Sequence, residues 1–182
     1  MAKKDTITLG SGKLYFMEYE GTLPDVDAIC VEENRLGYVK GGASIEYKPT
    51  YYEAKDDMGF ITKTIITDEE ALFKSGILTF NGNTLKTLSD TGRVTEENGK
   101  RTVLIGGAGN ASNQNYVLCF HHEDAVDGDK WVEIVGRNQA GFTLSFKKDA
   151  ETVIDAEFKC QPQDDSGTLI KYIEEDSTIS AG

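Results

Sequence analysis

Hydrophobic and polar positions alternate along much of this chain with the period of two that a half-buried strand requires. In residues 43–48, Ala43, Ile45 and Tyr47 share one face, with Ser44, Glu46 and Lys48 on the other. Residues 60–67 are rich in Ile and Thr, which are stiff at the first side-chain torsion and suit a pleated surface. Tyr116, Leu118 and Phe120 alternate, residues 130–135 read as a strand around Trp131, and Phe142, Leu144 and Phe146 face one way. The clearest run places Thr152, Ile154, Ala156, Phe158 and Cys160 on one side and Asp155, Glu157, Lys159 and Gln161 on the other, with Val153 as an interruption. One face buried and one wet is an antiparallel signature. Residues 168–174 are expected to close the ordered chain as a strand.

Helical signal is sparse. Asn81 or Asn83 can cap a short helix running to Asp90, with Leu85 and Leu88 on one face and Gly92 beyond its end. Thr67-Asp68-Glu69-Glu70 has the form of a capping box, yet Gly76 followed by Ile77-Leu78-Thr79-Phe80 favours a strand over residues 68–80, and the strand reading is preferred. The sum is a mainly β protein: an antiparallel sandwich or barrel of about nine strands, one short flanking helix and one long extended hairpin. Two loops stand out. Residues 53–59 are short and charged and join two long strands; residues 106–115 are built from Gly, Ala, Asn and Ser and are expected to be mobile. No composition break divides the chain. Residues 1–8 read as an arm, 9–175 as one domain and 176–182 as a loose tail.

Charge narrows the partners. The 182 residues carry 19 Lys and Arg against 31 Asp and Glu, a formal net charge of −12. Such a surface repels phosphate and speaks against groove-tracking nucleic-acid binding. No apolar run suggests a transmembrane helix, signal peptide or lipid anchor, so no membrane insertion is expected. Cys30, Cys119 and Cys160 are odd in number and widely spaced, without a metal or redox spacing, which fits a reduced cytosolic setting.

The candidate chemical motifs fail one by one. His121 and His122 are adjacent and so point to opposite faces of a strand; with Glu123, Asp124, Asp127 and Asp129 they read as a strand end running into a polar turn. A calcium loop with Gly128 in sixth place would end on Ile134, where an acid is required. Gly10-Ser11-Gly12-Lys13 is followed by Leu14, which breaks the phosphate-loop pattern. No nucleophile elbow accompanies either histidine, and paired carboxylates such as Asp56-Asp57 and Asp164-Asp165 are ordinary in so acidic a chain. Neither an enzyme nor a cofactor is expected.

The order of segments carries more. GSGKLYF near the start, EENRLGYVKGGASIEYKP (residues 32–49), GFITKTIITDEEALFKSGILTFN (59–81) and DDSGTLIKYIEED (164–176) together resemble the tail tube (major tail) proteins of long-tailed bacteriophages and related tail-like particles. The resemblance implies a β-sandwich that forms six-membered rings, stacked into a hollow tube around a tape-measure protein. The tube would later conduct DNA without binding it specifically. It also implies contacts with tail terminator and distal tail or baseplate proteins, assembly in the bacterial cytoplasm and residence in the virion tail.

On that reading residues 47–66 form the long hairpin, and Glu53, Lys55, Asp56, Asp57, Met58 and Gly59 reach a neighbouring subunit or ring. Lys3 and Lys4 would meet Glu174, Glu175 and Asp176 between rings. Asp68, Glu69, Glu70, Asp155 and Glu157 are candidate acids for a lumen that lets DNA slide. Two alternatives stay open. One is a carbohydrate- or cell-wall-binding β-sandwich module with Tyr47, Tyr51 and Tyr52 as its stacking platform. The other is the tube protein of a contractile, sheathed tail or tailocin, less favoured because no sheath-binding feature stands out.

Overall fold

The computed structural model describes residue 8 and residues 10–179. Within them the chain is mainly β, with nine strands and two short α-helices. In order these are β1 (Lys13–Glu18), α1 (Val26–Ile29), β2 (Arg35–Lys55), β3 (Thr62–Ile77), α2 (Gly82–Thr87), β4 (Arg93–Glu97), β5 (Lys100–Leu104), β6 (Tyr116–His122), β7 (Lys130–Asn138), β8 (Ile154–Gln161) and β9 (Lys171–Glu174).

The main sheet runs β6-β1-β2-β3-β8-β7, and β6 also pairs with β7, so these strands close into an antiparallel barrel. On β7, the edge away from β6 is shared: Val135 to Asn138 pair with β8 and Lys130 to Glu133 with β9. Closure requires neighbouring strands to crowd at the corners, and Gly136 makes this possible. A Cβ there would lie 2.3 Å from the Lys159 carbonyl oxygen, so only glycine lets β7 and β8 meet so closely.

The interior is filled by the inward row of each strand, among them Leu14, Leu36, Phe73, Ile77, Leu118, Ile134, Ile154, Ala156 and Phe158. The alternation over residues 154–160 is realised as expected, with Ile154, Ala156, Phe158 and Cys160 buried. Strand β6 departs from a one-sided pattern, because its outward residues Val117 and Cys119 are buried as well. They pack beneath α1 and its flanks with Tyr15, Ile29 and Val135. The four-residue α1 is too short to show a helical period, and its N-cap Asp25 makes no side-chain capping bond.

Asn81, rather than Asn83, caps α2: its side chain accepts from the backbone N–H groups of Asn83 (2.8 Å) and Thr84 (3.3 Å), while Thr84 Oγ1 accepts from Asn81 N–H (3.2 Å). The helix ends at Thr87, short of Asp90. Residues 68–77 are strand, as preferred from Gly76 and the apolar residues after it.

The structure departs from the sequence reading at three places. Residues 142–146 form no strand; both halves of the outer β7 edge are already taken by β8 and β9. Phe142 and Leu144 nevertheless pack against the core, while Phe146 is exposed. The last strand is confined to Lys171–Glu174. The β4–β5 hairpin was not anticipated, although its Asn98-Gly99 turn, with both residues at positive φ (52° and 72°), is a strong two-residue hairpin signal.

Candidate assembly surfaces

Strands β2 and β3 pair from Val39 to Lys55, far beyond the barrel, because β8 joins β3 only from Leu72 onward. The free part of the ribbon, residues 47–55 and 62–71, projects about 30 Å at roughly 3.3 Å per residue. Every residue from 50 to 69 is exposed. At the tip, Asp56 N–H donates to the Ile61 carbonyl (3.1 Å), and the Asp56 carboxylate accepts from Ile61 N–H (2.7 Å). That backbone bond, first among its causes, holds the Asp56 carboxyl below its ordinary pKa. Glu53 and Lys55 lie in β2 just before the turn; Asp56, Asp57, Met58 and Gly59 lie in it. Phe60 and Ile61, which the charged character of residues 53–59 did not single out, are there too, at 80% and 73% exposure.

Pairing fixes which side chains share a face. Tyr51 lies opposite Ile66 and Tyr52 opposite Ile65, and adjacent residues on one strand point to opposite faces. The ribbon is therefore apolar on both sides at one level. All four residues are between 48% and 59% exposed. The face bearing Tyr51 continues, through Pro49 and Tyr47, the inward row of Ala43 and Ile45. A bulge at Thr67, whose hydroxyl donates to the Thr50 carbonyl (3.2 Å), keeps Ile65 and Ile66 in step with the tyrosines. This placement breaks up a three-tyrosine platform: Tyr52 faces away from Tyr47 and Tyr51.

The outer face of β2, β3 and β8 is a ladder of alternating charge. Glu46 meets Lys48 (3.3 Å) and Lys74 (3.4 Å), Lys74 also meets Glu157 (3.3 Å), and Lys159 meets Glu70 (3.5 Å). Of the candidate lumen acids, then, Glu70 and Glu157 are balanced by lysines. Glu69 accepts from the Tyr47 hydroxyl on the other face, and Asp68 and Asp155 have no ion-pair partner among the described residues. The five do not gather into one acidic wall. Asp155 and Glu157 instead line an open hollow of about 400 Å³ with Gly41, Ser44 and Lys74.

Lys3 and Lys4 lie outside the described residues. The C-terminal acids are engaged within the chain: Glu174 accepts from the Tyr172 hydroxyl (2.9 Å), Glu175 accepts from Asp129 N–H (3.0 Å), and Asp176 accepts from Thr178 N–H (2.8 Å). The histidines diverge as their adjacency requires. His121 Nε2 is 2.8 Å from Asp129 Oδ2 and its ring stacks on Trp131, whereas His122 Nδ1 donates to the Ser11 carbonyl (2.7 Å). Among the described residues no three His, Cys, Asp or Glu side chains converge as a metal site. None of the described helices is long and apolar enough to cross a membrane.

Wide sequence spacing concealed one juxtaposition. The fold brings Cys30 and Cys119 together, Sγ to Sγ 3.6 Å, beneath α1. Beside them Glu133, fully buried and paired across the strands with Cys119, accepts from Lys171 Nζ at 2.8 Å.

A scan against protein-family models found no match, and a search of curated proteins found no significant one.

Proposed function

We propose that this chain is a self-assembling structural subunit, the tube protein of a long phage tail or tail-like particle, and that its β2–β3 ribbon is the principal joint between subunits. The observation that carries the reading is the two-sided apolar ribbon. A strand pair with one apolar face can lie on its own domain; one with Tyr51 and Ile66 on one face and Tyr52 and Ile65 on the other needs a cover on both. Exposed apolar surface of this extent on a monomer marks an interaction site, and a slot between two further subunits supplies two covers. Rings built in this way, stacked around a tape-measure protein, would leave a bore for DNA. The net charge of −12 favours passage over retention, since phosphates do not condense on a like-signed wall.

The test compares wild type with a deletion of residues 53–59 by size-exclusion chromatography and negative-stain microscopy. Wild type at high concentration is expected to form tubes with a central channel, and the deletion to remain a folded monomer. Unimpaired tube formation by the deletion would refute the ribbon's role. A wild type that stays monomeric under all conditions would refute the reading itself.

A further inference from the structure

We propose that Cys30 and Cys119 form an oxidisable dithiol, a site at which a disulfide closes and staples the α1 segment to the outer face of β6. The inference rests on intramolecular geometry and stands whatever the chain assembles into.

The sulfurs are 3.6 Å apart although the residues are 89 positions apart in sequence. A disulfide bond is about 2.05 Å long, so closure requires an approach of about 1.5 Å, within reach of a side-chain torsion. Cys30 is placed for such a movement. It is the C-cap of the four-residue α1, whose other end lacks a side-chain cap. Cys119 is fixed, fully buried in the middle of a strand paired on both sides.

The two thiols are also chemically unequal. Cys30 is partly exposed, and the Cys119 S–H group beside it stabilises its thiolate, which lowers its pKa against the opposing effects of burial, Glu133 and Asp27. The same hydrogen bond, with burial and the nearby Glu133 carboxylate, raises the Cys119 thiol, Lys171 opposing only weakly. The accessible sulfur is thus the nucleophile and the buried one the resolving partner.

With a low-molecular-weight disulfide as oxidant, the sequence is balanced. The Cys30 thiolate attacks one sulfur of the reagent, a Cys30 mixed disulfide forms and one thiolate leaves. The Cys119 sulfur then attacks Cys30 Sγ, the mixed disulfide breaks, and the second reagent sulfur departs as a thiol carrying the Cys119 proton. Two protein thiols are oxidised and one reagent disulfide is reduced to two thiols. Cys160 serves as an internal control: it is buried inside the barrel, and burial alone pushes its pKa up to about 12.

The experiment treats the folded, full-length protein with oxidised glutathione, alkylates remaining thiols after denaturation and maps the peptides by mass spectrometry. The expected map shows Cys30 linked to Cys119 and Cys160 alkylated. The unfolding midpoint should rise on the order of 10 °C, reversed by dithiothreitol, as befits closure of so long a loop. Cys119→Ser should stop at a stable glutathione adduct on Cys30. Should that variant fail to fold, the wild-type map alone decides. Wild type that accumulates only the Cys30 adduct, links Cys30 to a second chain or leaves both thiols unmodified would overturn the proposal.

Discussion

The ribbon makes a quantitative demand that separates a two-sided joint from an exposed hairpin. Consider two paired substitutions, Tyr51→Thr with Ile66→Thr on one face and Tyr52→Thr with Ile65→Thr on the other. Threonine is β-branched and, like Tyr and Ile, favours strands, so the strand conformation survives while most apolar surface is lost. Complete burial of a side chain of this size is worth about 1.5–3 kcal/mol. Each of the four is already about half covered by its own ribbon, leaving about 1 kcal/mol per residue for a partner to realise. Each face pair should therefore cost assembly about 2 kcal/mol per subunit, and all four substitutions about 4 kcal/mol. At 1.4 kcal/mol per decade, the critical concentration rises roughly 30-fold for either pair and approaches a thousandfold for the quadruple variant.

The monomer should hardly notice, since surface substitutions away from caps and cores stay within about 0.5 kcal/mol each. Sedimentation of a concentration series gives the critical concentration, and circular dichroism below it gives the unfolding midpoint, which should move by no more than about 4 °C per pair. A single silent face would refute the two-sided argument, because one cover would then suffice. A collapse of monomer stability would refute it differently, by showing that the ribbon belongs to the core.

Other consequences concern the barrel itself. Asn138 donates to the carbonyls of Leu88 (2.9 Å) and Gly141 (2.7 Å) and accepts from Glu157 N–H (3.2 Å). Asn138→Ala removes one buried and two partly buried hydrogen bonds and should cost about 3 kcal/mol, read as a fall of roughly 10 °C in unfolding midpoint. Lys171→Ala leaves the buried Glu133 carboxylate without its cation; because Lys171 is itself partly exposed, the cost should be about 2 kcal/mol rather than the full value for a buried pair. Adding Glu133→Leu should recover most of that in urea unfolding. The Asp129 pKa is depressed, chiefly by the Asp124 backbone N–H (2.8 Å) and then by His121. A depressed carboxyl stabilises above its unfolded value, near 3.9, and loses that contribution as pH falls through its lower folded value. Asp129→Asn should thus lower the unfolding midpoint at pH 7, and the difference from wild type should shrink as pH falls through the depressed folded value.

Legibility in the sequence followed the number of surfaces an element touches. Strand β8, buried on one face and wet on the other, could be read residue by residue because period two survives when only one face is apolar. Strand β6 could not, since α1 covers its second face and α1 is too short to announce itself. The Phe142 pattern misled for a different reason: alternation reports that side chains seek a core, not that a neighbouring edge is vacant. The hairpin was legible as two long strands around a charged turn, but its two-sidedness depends on the Thr67 bulge, a register detail that composition does not carry. The Cys30–Cys119 contact was invisible to spacing rules because it depends on a helix folding back over a strand 89 residues away.

Barrel closure also redirects the question of where a neighbour can bind. An open sheet offers two long edges, whereas here β6 and β7 seal each other and most backbone donors and acceptors are spent within the barrel. The backbone edges left among the described residues belong to the outer margins of the β2–β3 ribbon, to the first half of β8 (residues 154–157), whose outer side is charged, to the β4–β5 hairpin and to four-residue β9. Of these, β9 is too short to hold a partner strongly. The β4–β5 strands carry Arg93, Glu96, Glu97, Lys100 and Arg101, charges that discourage a neutral strand from adding there. Only the ribbon combines free edges with apolar side chains on both faces. Strand addition and side-chain burial would therefore act at the same place, and the rest of the barrel need only hold that ribbon at a fixed angle. On this reasoning, covalently closing the β2–β3 tip onto the barrel should abolish assembly as completely as deleting it.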